Sequence, residues 1–149
     1  MSNRKFENSP DDIVIVSGAR TAVAKFGGSL KTMSAIDMGS IVVAEAVKRA
    51  GIDPSVVDEC IIGQVGSWGE NGFVARAISL KAGLPNETCA YSVNRQCGSG
   101  LQSIADGIME IKCGQSEVVV AGGSESLSQL PYYVPSARWG ARMGHKQFE

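Results

Sequence analysis

Cys97 is the residue whose type and surroundings point most directly to chemistry. Gly98, Ser99 and Gly100 follow it, and it lies between a short apolar run and a segment with helical periodicity. This order predicts a strand, a turn and a helix, with the cysteine at the helix N-terminus. Unpaired N–H groups and the helix dipole favour an anion there. Such a cysteine suits nucleophilic attack on a carbonyl, and the same N–H groups can bind the oxyanion that forms.

The helix dipole alone does not make a strong nucleophile. It contributes about 0.3–1 kcal/mol, up to ~2 when partly buried, so a base or a cation is needed as well. His145 is the only imidazole of the sequence. It lies in an irregular tail that nothing brings near Cys97, and we expect it to be solvated. The alternative reading of Cys97 is a small structural cysteine at an ordinary turn.

The other three cysteines are expected to be structural or passive. Cys60 and Cys89 fall on or beside predicted strands, and Cys113 falls at a predicted helix C-terminus, where the dipole disfavours a thiolate. With no C-x-x-C pair and a single histidine, the sequence predicts no metal site. It also lacks an apolar secretory signal, so the prediction is a reducing, cytoplasmic location.

The apolar pattern predicts an α/β fold of βαβαβαβ type with a mostly parallel sheet and right-handed crossovers. The predicted strands are rich in β-branched residues and lie at 13–16, 60–62, 91–93 and 118–121. The predicted helices have periodic apolar positions and lie at 36–50, 73–82 and 98–112. For the first helix, Ser34 or Asp37 is the expected N-cap and Gly51 the expected stop.

The third predicted helix carries an apolar face wider than one sheet can cover. Leu101, Ile104, Ile108 and Ile111 follow one another at spacings of three, four and three. A helix this apolar is usually covered from more than one side. A second surface, from elsewhere in the fold or from another chain, is therefore expected to pack on it.

Composition excludes several classes of protein. The chain has 149 residues, 44% of them hydrophobic and 19% charged, with a net charge of -1. These values fit a packed domain rather than a disordered chain, and they lack the basic character of a nucleic-acid-binding domain. No apolar stretch is long enough to span a membrane. We divide the chain into an N-terminal arm (1–11), a domain (12–123) and an irregular segment (124–149).

The sequence around Cys97, VNRQCGSGLQSI at 93–104, resembles the acyl-enzyme signature of the thiolases. This family comprises the acetyl-CoA acetyltransferases and the 3-ketoacyl-CoA thiolases. Three further segments resemble the family in the same order, and they lie at 16–28, 63–76 and 121–128. In the last of these Leu127 replaces the usual methionine, and Glu125 is expected to anchor a buried turn near the site or to be exposed.

The resemblance implies that Cys97 is acylated by an acyl-CoA and that its backbone N–H contributes to an oxyanion hole. It implies supporting roles for Asn94, Gly98, Ser99 and Gly100. A second acyl-CoA would then supply a carbanion, giving a 3-ketoacyl-CoA, and the reverse reaction is thiolysis. The substrates are coenzyme A thioesters and CoA, with no further cofactor, no metal, no nucleic acid and no membrane partner, and the complete enzyme would be a homo-oligomer.

The resemblance covers only the N-terminal half of a thiolase, ending at the start of the family's loop region. The C-terminal half supplies a histidine in a Gly-His-Pro segment and a second cysteine, and neither has a counterpart here. The chain alone is therefore expected to be inactive without a C-terminal half or a complementing chain. The alternative is a non-catalytic half-domain that assembles with a second chain. The related ketosynthases fit less well, because their cysteine stands in Asp-x-Ala-Cys-Ser-Ser rather than in Asn94-x-x-Cys97-Gly98-Ser99-Gly100.

Overall fold

A computed structural model describes residues 9, 12–134, 137–140 and 143–145 of the chain. Most of the predicted N-terminal arm therefore lies outside the described residues. The main helices are α1 (Ala35–Ala50), α2 (Val74–Lys81) and α3 (Ser99–Lys112). The strands are β1 (Glu59–Gly63), β2 (Cys89–Val93) and β3 (Val119–Gly123). Short 3-10 turns lie at Pro54–Val56, Gly69–Phe73 and Leu127–Gln129, and a four-residue helix, α4, lies at Ala137–Gly140.

The three strands form one parallel sheet in the order β2-β1-β3, which confirms the predicted α/β class. β1 is the central strand and is buried on both faces. Cys60 and Ile62 belong to the core that α1 and α2 build, whereas Ile61 approaches Gly107 of α3 on the opposite face. Successive side chains of a strand point to opposite faces, so one continuous apolar run serves both layers.

Helix α1 begins and ends where its sequence predicts. The Ser34 hydroxyl accepts a hydrogen bond from the Asp37 N–H at 3.0 Å, and the Asp37 carboxylate accepts one from the Ser34 N–H at 3.4 Å. This reciprocal capping box satisfies two N–H groups that the helix leaves unpaired. At the other end Gly51 adopts a left-handed conformation with φ 68°, which glycine tolerates without steric cost.

Helix α3 packs on the sheet through small residues. Ser99, Ser103 and Gly107 are its buried residues. A Cβ on Gly107 would lie 2.9 Å from Cγ1 of Val119, so only a glycine allows this close approach. Of the predicted apolar face, Leu101 is 74% exposed and Ile108 37% exposed, whereas Ile104 and Ile111 are half-buried. The apolar periodicity predicts the helix correctly, and the small residues are the part of its packing that the periodicity does not indicate.

The predicted strand at 13–16 is wrong for this structure, because these residues pair with no strand of the described chain. They line an apolar groove of about 390 Å³, and Ile15 is 81% exposed. Residues 13–19, residues 118–124 and residues of α1 and α3 all contribute to the lining of this groove. A β-branched run forms a strand only where a neighbouring backbone lies within about 4.8 Å, and no strand of the described residues pairs with this run.

Candidate functional site

The site is built where β2 ends and α3 begins. Cys97 lies between them, Gly98 is the N-cap and the helix starts at Ser99. The predicted order of strand, turn and helix is therefore present, with the cysteine one residue before the cap. Cys97 is exposed, so a substrate can reach the thiol from solvent.

The turn that carries Cys97 is held in an uncommon conformation. Gln96 has φ 52°, and it is the only residue other than glycine with a positive φ in the part of the chain that the structure describes. A left-handed residue with a Cβ costs roughly 1–2 kcal/mol. Hydrogen bonds offset this cost, because Asn94 Oδ1 accepts from the Gln96 N–H at 3.1 Å and Ser99 Oγ donates to the Gln96 carbonyl at 2.6 Å.

Ser99 anchors the turn from the helix side. Its hydroxyl also accepts from the Arg95 N–H at 2.9 Å, and the residue is buried. The backbone N–H groups of Gly98 and Ser99 donate to the carbonyl oxygens of Arg95 and Gln96 at 3.1 and 3.0 Å. These two N–H groups are therefore engaged inside the turn and are not free for a ligand.

Glycines at the strand ends let the first turn of α3 approach the sheet. A Cβ on Gly63 would lie 2.3 Å from the carbonyl carbon of Ser99, a separation that real Cβ atoms do not show. A Cβ on Gly123 would lie 3.2 Å from Cα of Gly100. Gly100 itself would tolerate a Cβ at ordinary contact distance, 3.7 Å from Gly123. Gly63 is therefore the glycine on which the height of the helix start above the sheet depends most.

In the segment after β3, alternate side chains form hydrogen bonds with the start of α1 and with the segment after β1. Ser124 and Ser126 donate to the carbonyl oxygens of Ala35 and Met33, at 2.6 and 2.8 Å, next to the start of α1. Glu125, between them, reaches the segment after β1. Its carboxylate accepts from the Val65 N–H at 2.8 Å and from the Gly66 N–H at 3.3 Å. Glu125 thus anchors a turn, the first of the two roles that its sequence position allowed.

Gln64 is a feature of the structure that no sequence pattern indicates. It follows β1 and is 1% exposed, and neither atom of its side-chain amide has a hydrogen-bond partner within the described residues. A buried amide without partners is uncommon. Glutamine after a strand is ordinary in sequence, so only coordinates could single it out.

Of the remaining titratable candidates, Cys60 is buried and the others are exposed. Burial, with a smaller effect of the Glu59 charge, raises the pKa of Cys60 to about 12. Cys89 begins β2 and Cys113 follows α3, and both are exposed. His145 is exposed, as expected. In the described ranges, no three His, Cys, Asp or Glu residues are grouped as a metal site would need.

The profile described as "Thiolase, N-terminal domain" matches residues 13–149. The chain belongs to this thiolase family. The match includes the turn around Cys97, the glycines at the strand ends and the Ser-Glu-Ser segment after β3. It begins at residue 13, so the run at 13–16 that lines the groove belongs to the family domain and not to the N-terminal arm.

Named relatives agree with this family. The chain is 46% identical over 134 residues to an acetyl-CoA acetyltransferase of Pseudomonas aeruginosa, and 47% identical over 133 residues to that of Cupriavidus necator. These alignments cover 90% and 89% of this chain but 34% of each relative. The chain therefore spans about a third of the length of the relatives it matches.

Solved structures show the same fold. The crystal structure of the Bacillus anthracis acetyl-CoA acetyltransferase superposes with a TM-score of 0.84 and 41% identity, over 91% of this chain and 34% of that one. An Ascaris suum thiolase, Acat5, crystallised in complex with coenzyme A, gives 0.79 and 39%, over 81% of this chain and 32% of that one. Within the described residues, no helix has the length and apolar character to cross a membrane.

Proposed function

We propose that this chain carries the acyl-accepting cysteine of a thiolase that makes or cleaves 3-ketoacyl-CoA, such as acetoacetyl-CoA. The observation that carries the proposal is the exposed Cys97 at the turn between β2 and α3, in a chain of the thiolase family. Residues 12–123 act as the nucleophile half-domain, and 124–149 begin the region that leads to the rest of the enzyme. Cys97 must stay a free thiol, which suits a reducing cytoplasm.

The first step is transfer of an acyl group to sulfur. The Cys97 thiolate attacks the thioester carbonyl of acetyl-CoA, a carbon–sulfur bond forms, and the carbonyl oxygen becomes an oxyanion. When the oxyanion collapses, the bond to CoA sulfur breaks and CoA leaves as a thiolate that takes up a proton. A second acetyl-CoA, deprotonated at its methyl carbon, then attacks the acyl-enzyme. A carbon–carbon bond forms and Cys97 leaves again as a thiolate.

The turn limits which donor can stabilise the oxyanion. The N–H groups of Gly98 and Ser99 are already engaged, so we assign the oxyanion contact to the Cys97 N–H, together with a donor from the remainder of the enzyme. Asn94 and Ser99 support the site by holding the Gln96 turn, and Gly98 and Gly100 support it by leaving the approach to the thiol open. Preorganised donors of this kind lower the barrier of acyl transfer without reorganisation.

A base for Cys97 and a group to move the methyl proton must come from outside this chain. His145 is the sole imidazole and is exposed, and the carboxylate of Glu125 is committed to two backbone N–H groups. We propose that a C-terminal thiolase half, or a complementing chain, supplies both groups and that the assembled enzyme is a homo-oligomer. The chain alone then has little or no thiolase activity.

Mass spectrometry of the intact protein tests this proposal. The chain is incubated with acetyl-CoA in the presence and absence of a complementing C-terminal half. We expect one acetyl group on the Cys97 peptide only when both parts are present, and none in Cys97→Ala. Cys89→Ala and Cys113→Ala, which remove the other exposed thiols, should still be acetylated. Acetylation that persists in Cys97→Ala, or no acetylation of the complemented protein, would reject the nucleophile role.

One observation favours the second candidate, a non-catalytic half-domain that assembles with another chain. Two large apolar side chains of α3 are exposed, Leu101 at 74% and Met109 at 53%. Exposed apolar side chains grouped on one helix favour association with a second chain. If assembly is the whole function, a partner will bind and leave the alkylation rate of Cys97 unchanged. A partner that raises this rate supports the enzyme instead.

A further inference from the structure

The three strands end side by side, and polar groups that follow them are joined by hydrogen bonds. Val65 and Gly66 follow β1, Asn94 follows β2 and Glu125 follows β3. The Glu125 carboxylate accepts from the Val65 N–H at 2.8 Å and from the Gly66 N–H at 3.3 Å. The Val65 carbonyl in turn accepts from Asn94 Nδ2 at 3.4 Å. The backbone of Val65 is therefore held from both neighbouring strands.

The same asparagine continues the chain of contacts to the nucleophile. While Nδ2 of Asn94 donates to Val65, its Oδ1 accepts from the Gln96 N–H at 3.1 Å. Gln96 is the left-handed residue immediately before Cys97. The direction in which the Cys97 side chain leaves the backbone depends on this residue's φ and ψ. A continuous path thus runs from the Glu125 carboxylate through Val65 and Asn94 to the turn.

We propose that Glu125 is a positioning residue for Cys97. It fixes the Val65 backbone against the end of β3, Val65 orients the Asn94 amide, and Asn94 stabilises the left-handed Gln96 turn that presents the thiol. This inference rests on the proposed function for its biological meaning, whereas the hydrogen bonds that support it all lie within this chain. Glu125 touches neither the thiol nor its substrate and acts only through the backbone contacts.

The two neighbours of Glu125 make it possible to distinguish an effect on the position of Cys97 from an effect on folding. Ser124 and Ser126 anchor the same segment to the region around the start of α1, so attachment of the segment to the fold does not depend on Glu125. Ser124 is buried and its hydroxyl donates to the Ala35 carbonyl at 2.6 Å. Ser124→Ala is therefore a matched control that removes a structural contact from the adjacent residue and leaves the path to Gln96 intact.

The test compares thiol reactivities within one molecule. The purified chain is alkylated with iodoacetamide, and the rate at Cys97 is divided by the rate at Cys113, which is exposed and lies at the other end of α3. The same ratio measured in urea is the reference for an unfolded chain, in which the turn before Cys97 is absent. The urea midpoint of each variant reports stability. Neither coenzyme A nor a partner is present, so failure of this test is distinct from failure of the acetylation test.

We expect the Cys97/Cys113 rate ratio of the folded wild type to differ from the ratio measured in urea. Glu125→Ala should move the ratio of the folded chain toward the urea value by roughly threefold or more. Glu125→Gln, which keeps an acceptor for the Val65 N–H, should restore part of the difference. Ser124→Ala should lower the urea midpoint and leave the ratio unchanged. The proposal is overturned if the wild-type ratio equals the value in urea, or if Glu125→Ala leaves it unchanged.

Asn94 provides a second variant should Glu125→Ala fail to fold. Asn94 is exposed, and Asn94→Ala should shift the ratio in the same direction as the loss of Glu125. If both residues act along one path, the double variant Asn94→Ala/Glu125→Gln will shift the ratio no further than Asn94→Ala alone. Independent shifts that multiply in the double variant would contradict the path.

Discussion

Cys60 and Cys97 differ in burial although both are free thiols. Cys60 lies on the central strand with no exposed surface, and burial raises its pKa to about 12. It therefore stays protonated at neutral pH and out of contact with solvent. Cys97, Cys89 and Cys113 are exposed. The position of a thiol in the fold thus separates the candidate nucleophile from a core residue of the same type.

We expect N-ethylmaleimide at neutral pH to label three cysteines of the folded chain and four in urea, counted by intact mass. The fourth label requires the core to open, because Cys60 is covered by side chains of α1 and α2. Cys60→Ala is the control, with three labels under both conditions. Rapid labelling of Cys60 in the folded chain would show that solvent reaches the central strand and would contradict its place in the core.

Asp58 predicts a pH dependence of stability. Its carboxylate accepts from the N–H groups of Val118, at 3.0 Å, and Glu117, at 2.7 Å, just before β3 begins. These hydrogen bonds lower the pKa of Asp58 below its usual 3.8. The folded state binds this proton less tightly than the unfolded state. The stabilisation is therefore complete above the unfolded pKa and is lost as the pH falls through the folded pKa.

Asp58→Asn should consequently be less stable than wild type at neutral pH, and the difference should shrink as the pH falls below about 4. Urea unfolding at a series of pH values measures this difference. Glu87→Gln removes an exposed carboxylate. Its free energy of unfolding should stay close to that of wild type, and the difference between the two should vary little with pH. A difference between Asp58→Asn and wild type that stays constant down to about pH 2.5 would contradict the role of the charge.

At the scale of elements, the contact between α3 and β1 depends on a missing side chain. Gly63→Ala would place a Cβ 2.3 Å from the Ser99 carbonyl carbon, against backbone that cannot turn aside. We expect a loss of about 1–3 kcal/mol in the free energy of unfolding. Because Ser99 also anchors the Gln96 turn, the alkylation rate of Cys97 should change as well.

Gly122→Ala is the matched control for Gly63→Ala. Gly122 lies near the end of the neighbouring strand, and an added Cβ there would meet nothing within 4 Å. Its effect on the free energy of unfolding should remain within about 0.5 kcal/mol. Equal effects of the two substitutions would mean that α3 does not rest on Gly63.

The sequence was sufficient for elements whose signals are local. The Ser34–Asp37 capping box and Gly51 delimit α1, and the apolar runs gave β1, β2 and β3 to within two residues at each end. It was insufficient where the outcome depends on distant parts. The run at 13–16 has strand composition but no adjacent backbone, and α3 uses Ser99, Ser103 and Gly107 against the sheet because the strand-end glycines permit close approach.

The candidate site divides in the same way. Cys97 and its glycines were visible in sequence because nucleophile, small neighbours and helix start are consecutive. The path from Glu125 to Asn94 was not, because Val65 and Glu125 are 60 residues apart and meet only after three strands align. Gln64 and the left-handed Gln96 carry no sequence signal at all. Long-range backbone contacts and burial of a polar side chain are properties of the assembled sheet.

At the scale of the whole molecule, large apolar side chains are exposed on α3 and around the groove. Leu101, Ile108 and Met109 of α3 are exposed. Ile108 also lines the groove, so the exposed face of α3 and the groove adjoin and together offer one apolar surface to a second polypeptide. The expectation from sequence that a second surface packs on α3 stays a prediction.

We expect the folded chain to enhance the fluorescence of 8-anilinonaphthalene-1-sulfonate, a dye that binds accessible apolar surface. Met109→Glu and Ile108→Glu should lower the enhancement, because they place a charge on the exposed face of α3. Tyr132→Ser, which removes an aromatic ring that is fully exposed after β3, should have a smaller effect. Addition of a complementing thiolase C-terminal half should abolish the enhancement as it buries α3. If the partner restores acetylation of Cys97 while dye binding is unchanged, α3 is not the surface that it covers.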